Sequence, residues 1–182
     1  TGVDNSFDED TTTHSLRIVG ESIQLNDVVT TGNYSSGVEN DDGADVFISS
    51  SNGLIQVDNI YTRGSVATNT GWGRPGRNAG DVTVAATGGS VTIGDVYAEG
   101  SDGDDNNNEG SWSLDGGDGG VINISSSSSF VALGNIFSHG GSGDARGGGN
   151  NDDANGGSAG SITIDANSGI GEIQLNGNLH SY

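Results

Sequence analysis

The stretch from Val46 to Gly64 recurs at the same length as Val82 to Gly100 and Ile122 to Gly140, and in degraded form from Leu16 to Gly32 and from Ile162 to the C-terminus. Apolar residues keep matched places: Val46/Ile48, Ile55/Val57, Ile60; Val82/Val84, Val91/Ile93, Val96; Ile122/Ile124, Val131/Leu133, Ile136. Self-similarity at a period of roughly 30–40 residues marks a solenoid, in which each repeat is too small to bury its apolar face alone.

Within a repeat the apolar residues alternate with polar ones and are mostly β-branched, which predicts short strands. No run has helical spacing, and 34 glycines would break one. The fold expected is all-β: a single-domain parallel β-helix of about five coils over residues 15–182, preceded by an acidic lead or cap at 1–14. Each coil carries three strands. The corner dipeptides Asp58-Asn59, Gly94-Asp95 and Gly134-Asn135 turn the second strand into the third, with residues that tolerate left-handed backbone. Stacking then predicts an inward aliphatic column, Val28/Ile60/Val96/Ile136, and a small one, Thr30/Thr62/Ala98/Ser138.

From Gly32 to Val46, Gly64 to Val82, Gly100 to Ile122 and Gly140 to Ile162 the steps are 14, 18, 22 and 22 residues. These Gly/Asp/Asn-rich excursions all leave from one corner and should stack into a lateral flange. A thin aliphatic column can hold the strands but cannot order such segments, whose backbone costs roughly 1–2 kcal/mol per residue to fix. Stacking hydrogen bonds, metal or a partner must supply the rest. The fifth copy has a longer turn and one inserted residue before Leu179, and the sequence stops inside its third strand. The expectation is a piece of a longer solenoid, or an open end that joins another chain and makes a homo-oligomer or filament through the end coils.

The net charge of −20, with five arginines and no lysine, argues against nucleic acid or an anionic membrane as partner. The acidity serves either high-salt solubility or divalent cations. The absence of cysteine excludes disulfide staples, and no apolar span has membrane length. The densest acidic cluster, Asp102, Asp104, Asp105, Asn106, Glu109, Asp115 and Asp118, supplies the flexible oxygen ligands that calcium takes, with a solvated acidic loop as the alternative. It starts like an EF-hand loop but lacks the central glycine and the closing glutamate.

Tyr61, Tyr97 and Phe137 form an outward aromatic column, continued by His180 once the insertion is counted. It is either a structural ladder or a platform for a sugar ring or partner. Arg63 and Glu99 should pair beside it, with His139 beyond. Trp72 and Trp112 share one phase and either pack within the flange or contact a glycan or partner. With no cysteine, no lysine, and histidines in unlike contexts, catalysis has no constellation to rest on, so the chain reads as no enzyme.

The phrases GDVTVAATGGSVTIGDV and GSITIDANSGIGEIQL, with the stretch GGGNNDDANGGSAGSI, resemble repeats of bacterial exoproteins of the filamentous haemagglutinin type. That resemblance covers residues 15–182 and implies a right-handed, secreted β-helical adhesin with no catalytic residues. The secretion domain that opens such proteins is absent from this sequence, and its loops are longer than their compact repeats. The function expected is an extracellular adhesive or structural β-solenoid; the alternatives are a filament subunit and a calcium-stabilised carbohydrate-binding module.

Overall fold

A computed structural model describes residues 15–32, 42–65, 75–103, 114–127, 130–144, 154–166 and 171–182. The first coil comprises β1 (Ser15–Gly20), β2 (Ile23–Leu25) and β3 (Val28–Val29). The second comprises β4 (Asp45–Ser50), β5 (Ile55–Val57) and β6 (Ile60–Tyr61), the third β7 (Val82–Ala86), β8 (Val91–Ile93) and β9 (Val96–Tyr97). The fourth holds β10 (Ile122–Ser126), β11 (Phe130–Leu133) and β12 (Ile136–Phe137), the fifth β13 (Ile162–Ala166), β14 (Glu172–Leu175) and β15 (Leu179–His180). Like strands pair in parallel and in register, giving three five-stranded sheets, β1-β4-β7-β10-β13, β2-β5-β8-β11-β14 and β3-β6-β9-β12-β15. The architecture is the parallel β-helix of five coils that the repeat pattern calls for.

Alternation sends every second residue inward. Ile48, Ile55, Ile60, Val82, Val84, Val91, Val96, Ile122, Val131 and Ile136 are wholly buried in one continuous aliphatic column. The predicted column Val28/Ile60/Val96/Ile136 pairs as expected and continues to Leu179, which follows the second strand by one residue more than Ile136 does.

The excursions are hydrogen-bonded layers where they are described. Along the returning segment 76–81 the backbone N–H groups donate in turn to Asp115 O, Ser101 Oγ, Asp42 Oδ1, Asp118 O, Thr62 O and Asp45 Oδ1. Segment 116–121 repeats the series, to Asn155 O, Ser101 O, Asn78 Oδ1, Ser158 O, Ala98 O and Asp81 Oδ1. The direction therefore recurs every third residue: the next coil's return strand, the outgoing layer, then an Asp or Asn side chain of the previous coil. A period of three is that of the polyproline II helix. As in that helix, the N–H groups bond outside their own segment, here in three directions.

This geometry explains the glycines. A Cβ on Gly80 would collide with the Ala44 carbonyl, one on Gly117 with that of Arg77, and one on Gly120 with that of Gly80. Gly94 and Gly134, expected at their corner for left-handed backbone, do not use it. They are needed because the corner backbone of the preceding coil, at Asp58 and Gly94 respectively, lies too close for a side chain. The small inward column ties flange to core: Thr62 Oγ1 donates to Gly80 O at 2.7 Å, Ser138 Oγ to Gly120 O at 2.6 Å, and Ser181 Oγ to Gly160 O at 2.9 Å.

Gly120→Ala should cost about 1–3 kcal/mol in urea denaturation, as overpacking does. Gly156→Ala, whose Cβ would meet only the Gly141 oxygen at an ordinary 3.5 Å, should stay within about 0.5 kcal/mol of wild type. Equal effects at the two sites would refute layer spacing as the reason for the glycines.

Candidate functional site

Two groups of outward residues carry chemistry: two adjacent columns on the third sheet, and the acidic residues of corner and flange. Because Ile60, Val96, Ile136 and Leu179 point inward, the residues after them point outward. Parallel register then sets Tyr61, Tyr97, Phe137 and His180 one above another. Their rings stack at 5.0, 5.0 and 4.9 Å, tilted by 3°, 8° and 9°. The faces are turned to one another and the edges outward, so the half-buried column offers its sides edge-on, whereas a sugar ring stacks on a face.

Two residues further along runs the column Arg63, Glu99, His139 and Tyr182. The Arg63 Nε contacts Glu99, whose other oxygen lies 2.9 Å from His139 Nε2. The Arg63 guanidinium sits 4.4 Å from the Tyr97 ring centre, and Tyr182 stacks on His139 at 5.1 Å. The sequence-predicted pair is thus part of a network, with Glu99 only 17% exposed.

The corner, expected from the sequence only as a turn, also carries a hydrogen-bonded ladder. The Asn59 amide donates to Asp27 at 2.8 Å; the backbone N–H groups of Asp95, Asn135 and Asn178 donate to Asn59, Asp95 and Asn135 at 2.9, 2.7 and 3.0 Å. The Asn135 N–H holds the Asp95 carboxyl below its usual range, helped by the Tyr97 hydroxyl at 3.0 Å and the Asn135 amide, against a smaller upward push from burial. The same bond to Asp95 pushes the Tyr97 phenol up, with burial and the neighbouring charge adding to it.

Of the residues expected at calcium, Asp104, Asp105, Asn106 and Glu109 lie outside the described residues, as do Trp72 and Trp112. Asp102, Asp115 and Asp118 are exposed and accept the backbone N–H groups of Ser142, Asn155 and Ser158 at 2.7, 2.7 and 2.6 Å. Each carboxylate thus binds one coil to the next. Among the described residues no three acidic or histidine side chains converge. Over the second sheet a shallow trough of about 330 Å³ runs between Gln56, Asp58 and Asn176, floored by Gly94, Ala132 and Gly134.

At the last coil the aliphatic column emerges. Ile173, Leu175 and Leu179 are 47%, 38% and 49% exposed, whereas their partners one coil inward, Val131, Leu133 and Ile136, are 0–1% exposed.

Fold and surfaces together define the class: a parallel β-helix with a stacked glycine-rich flange. No family model, no curated protein and no solved structure matches the chain.

Asp95→Asn isolates the corner carboxylate. Because its folded pKa is lowered from 3.8, its stabilisation is present above that value and lost as pH falls through the folded one. Wild type should exceed the variant in urea midpoint at about pH 7, and that advantage should shrink as pH falls below 3.8. An undiminished gap in acid would sink the assignment.

Proposed function

We propose that this chain is a non-catalytic, extracellular β-solenoid scaffold that makes surface contacts through its flank and flange. The observation that carries the reading is how its polar side chains are used. Asp27, Asn59, Asp95 and Asn135 at the corner, and Asp42, Asn78, Asp81 and Asp118 in the flange, bind the neighbouring coil. Such residues fix a rigid, elongated body and converge on no common point, which is the economy of a spacer. The strong negative charge keeps such a body soluble and turns it from other polyanions. The likeness of repeat pattern to haemagglutinin-type exoproteins supports an adhesive surface role in the same direction.

Hydrogen exchange tests the scaffold. The amides of Gly80, Gly120 and Gly160, which bond across to the outgoing layer, should exchange about as slowly as the strand amides of Val82 and Ile122. Exchange of the flange amides at the rate of free peptide would remove the rigid body on which the reading depends. Antibody labelling of intact source cells should find the chain outside the membrane; recovery only from the cytosol would end the extracellular claim.

Calcium is the cation proposed for the excursion from Asp102 to Asp118. If it binds there, added calcium at about 100 times its dissociation constant stabilises by about 2.7 kcal/mol, and a chelator should lower the thermal midpoint of the calcium-loaded chain by several degrees. An identical midpoint with calcium and with chelator would dismiss the metal.

A further inference from the structure

We propose that Tyr61 and Tyr97 form a cross-linking site, at which one-electron oxidation joins the two rings by a carbon–carbon bond between positions ortho to their hydroxyls. The resulting dityrosine staples the second coil to the third. The proposal rests on the register of the coils and not on the scaffold reading.

Composition closes the commoner covalent links. With no cysteine and no lysine, the chain can form neither a disulfide nor a lysine isopeptide bond. Coupling of phenols remains open, and the fold sets up one pair for it. Parallel register makes Tyr61 and Tyr97 direct partners, and their rings stack at 5.0 Å with planes 3° apart. Such stacking brings face to face the ring carbons over which a phenoxyl radical spreads its unpaired electron. Tyr182, by contrast, stacks on His139 and meets His180 edge-on. Among the described residues, Tyr61 and Tyr97 are therefore the one stacked pair of phenols.

The surroundings favour loss of an electron together with a proton. The Tyr97 hydroxyl donates to Asp95 at 3.0 Å, and that bond raises the phenol's pKa, so the ring is protonated at neutral pH. The Arg63 guanidinium lies 4.4 Å from the Tyr97 ring centre and 5.9 Å from that of Tyr61. A cation so placed opposes a ring radical cation, so the proton must leave with the electron. Asp95 is in position to receive it. An oxidised phenol is a far stronger acid than a carboxylic acid, so the transfer runs downhill although the Asp95 carboxyl is itself held low. Both rings are half-buried with their edges outward, which leaves them open to an oxidant in solution.

The oxidant is hydrogen peroxide acting through a haem peroxidase. Each phenol loses one electron and its hydroxyl proton, and the two neutral radicals pair at their ortho carbons. Each of those carbons then passes its hydrogen, as a proton, back to its ring oxygen. The net change is one carbon–carbon bond formed, two carbon–hydrogen bonds broken, and two electrons and two protons released. Peroxide takes up both and becomes two waters. The bond closes the loop from Tyr61 to Tyr97, which restricts the unfolded chain and so favours the folded one.

The chain is oxidised with a haem peroxidase and hydrogen peroxide, and followed by dityrosine fluorescence, intact mass and peptide mapping. A monomer lighter by two hydrogen atoms should appear, with a single cross-linked peptide pair carrying Tyr61 and Tyr97. Its yield should not depend on protein concentration, and its urea midpoint should lie above that of the unoxidised chain. Tyr61→Phe and Tyr97→Phe, each checked by circular dichroism, keep a stacked ring and should each abolish this product. Tyr182→Phe should leave it unchanged. A small soluble one-electron photo-oxidant repeats the series, so that an enzyme too bulky to reach the flank does not decide the outcome. A folded wild type that neither oxidant cross-links overturns the proposal. Dityrosine found only in dimers, or mapped to another pair, does so equally, and an unchanged urea midpoint removes the staple.

Discussion

In-register parallel pairing governs this molecule. Every residue of a coil faces its equivalent one strand spacing away, about 4.8 Å along the axis. Whatever a position carries is therefore tested against near-copies of itself. Aliphatics fill a column, aromatics stack, and amides and hydroxyls relay hydrogen bonds, all of which gain from repetition. A repeated charge is repelled, and the charged columns are correspondingly mixed: Arg63 with Glu99 and His139, Asp27 and Asp95 separated by Asn59. Where two acids do follow one another, at Asp45 and Asp81, both are exposed, and each carboxylate accepts a backbone N–H from the next coil.

The flange extends that rule to segments that have no apolar face. Ordering such backbone costs roughly 1–2 kcal/mol per residue, and glycine loses more freedom than any other type. A single net hydrogen bond contributes about 1 kcal/mol, so one bond per residue leaves little margin. The flange is consequently dependent on the β-helix beside it. Its return strands are pinned at Gly80 and Gly120 by the buried hydroxyls of Thr62 and Ser138, and at Gly43 and Ala79 by the neighbouring return strand. Glycine is required because two layers bonded in three directions approach too closely for a Cβ.

The coils were readable in the sequence because repetition amplifies a weak signal: a lone Val-x-Val is ambiguous, but the same pair at Val46, Val82 and Ile122 is not. The aromatic column and the Arg63–Glu99 pair follow from the same alignment by parity. The corner and flange ladders were less accessible. Asn59, Asp95 and Asn135 stand at the repeat spacing, yet their residue types suit turns as well as acceptors, and only the direction of the next coil's N–H separates the two roles. The flange could be located but not described, since period-three bonding leaves no hydropathy trace among glycines. Asp102, Asp115 and Asp118, expected at a cation, cap backbone N–H groups of the next coil, a use that composition alone does not distinguish from metal ligation.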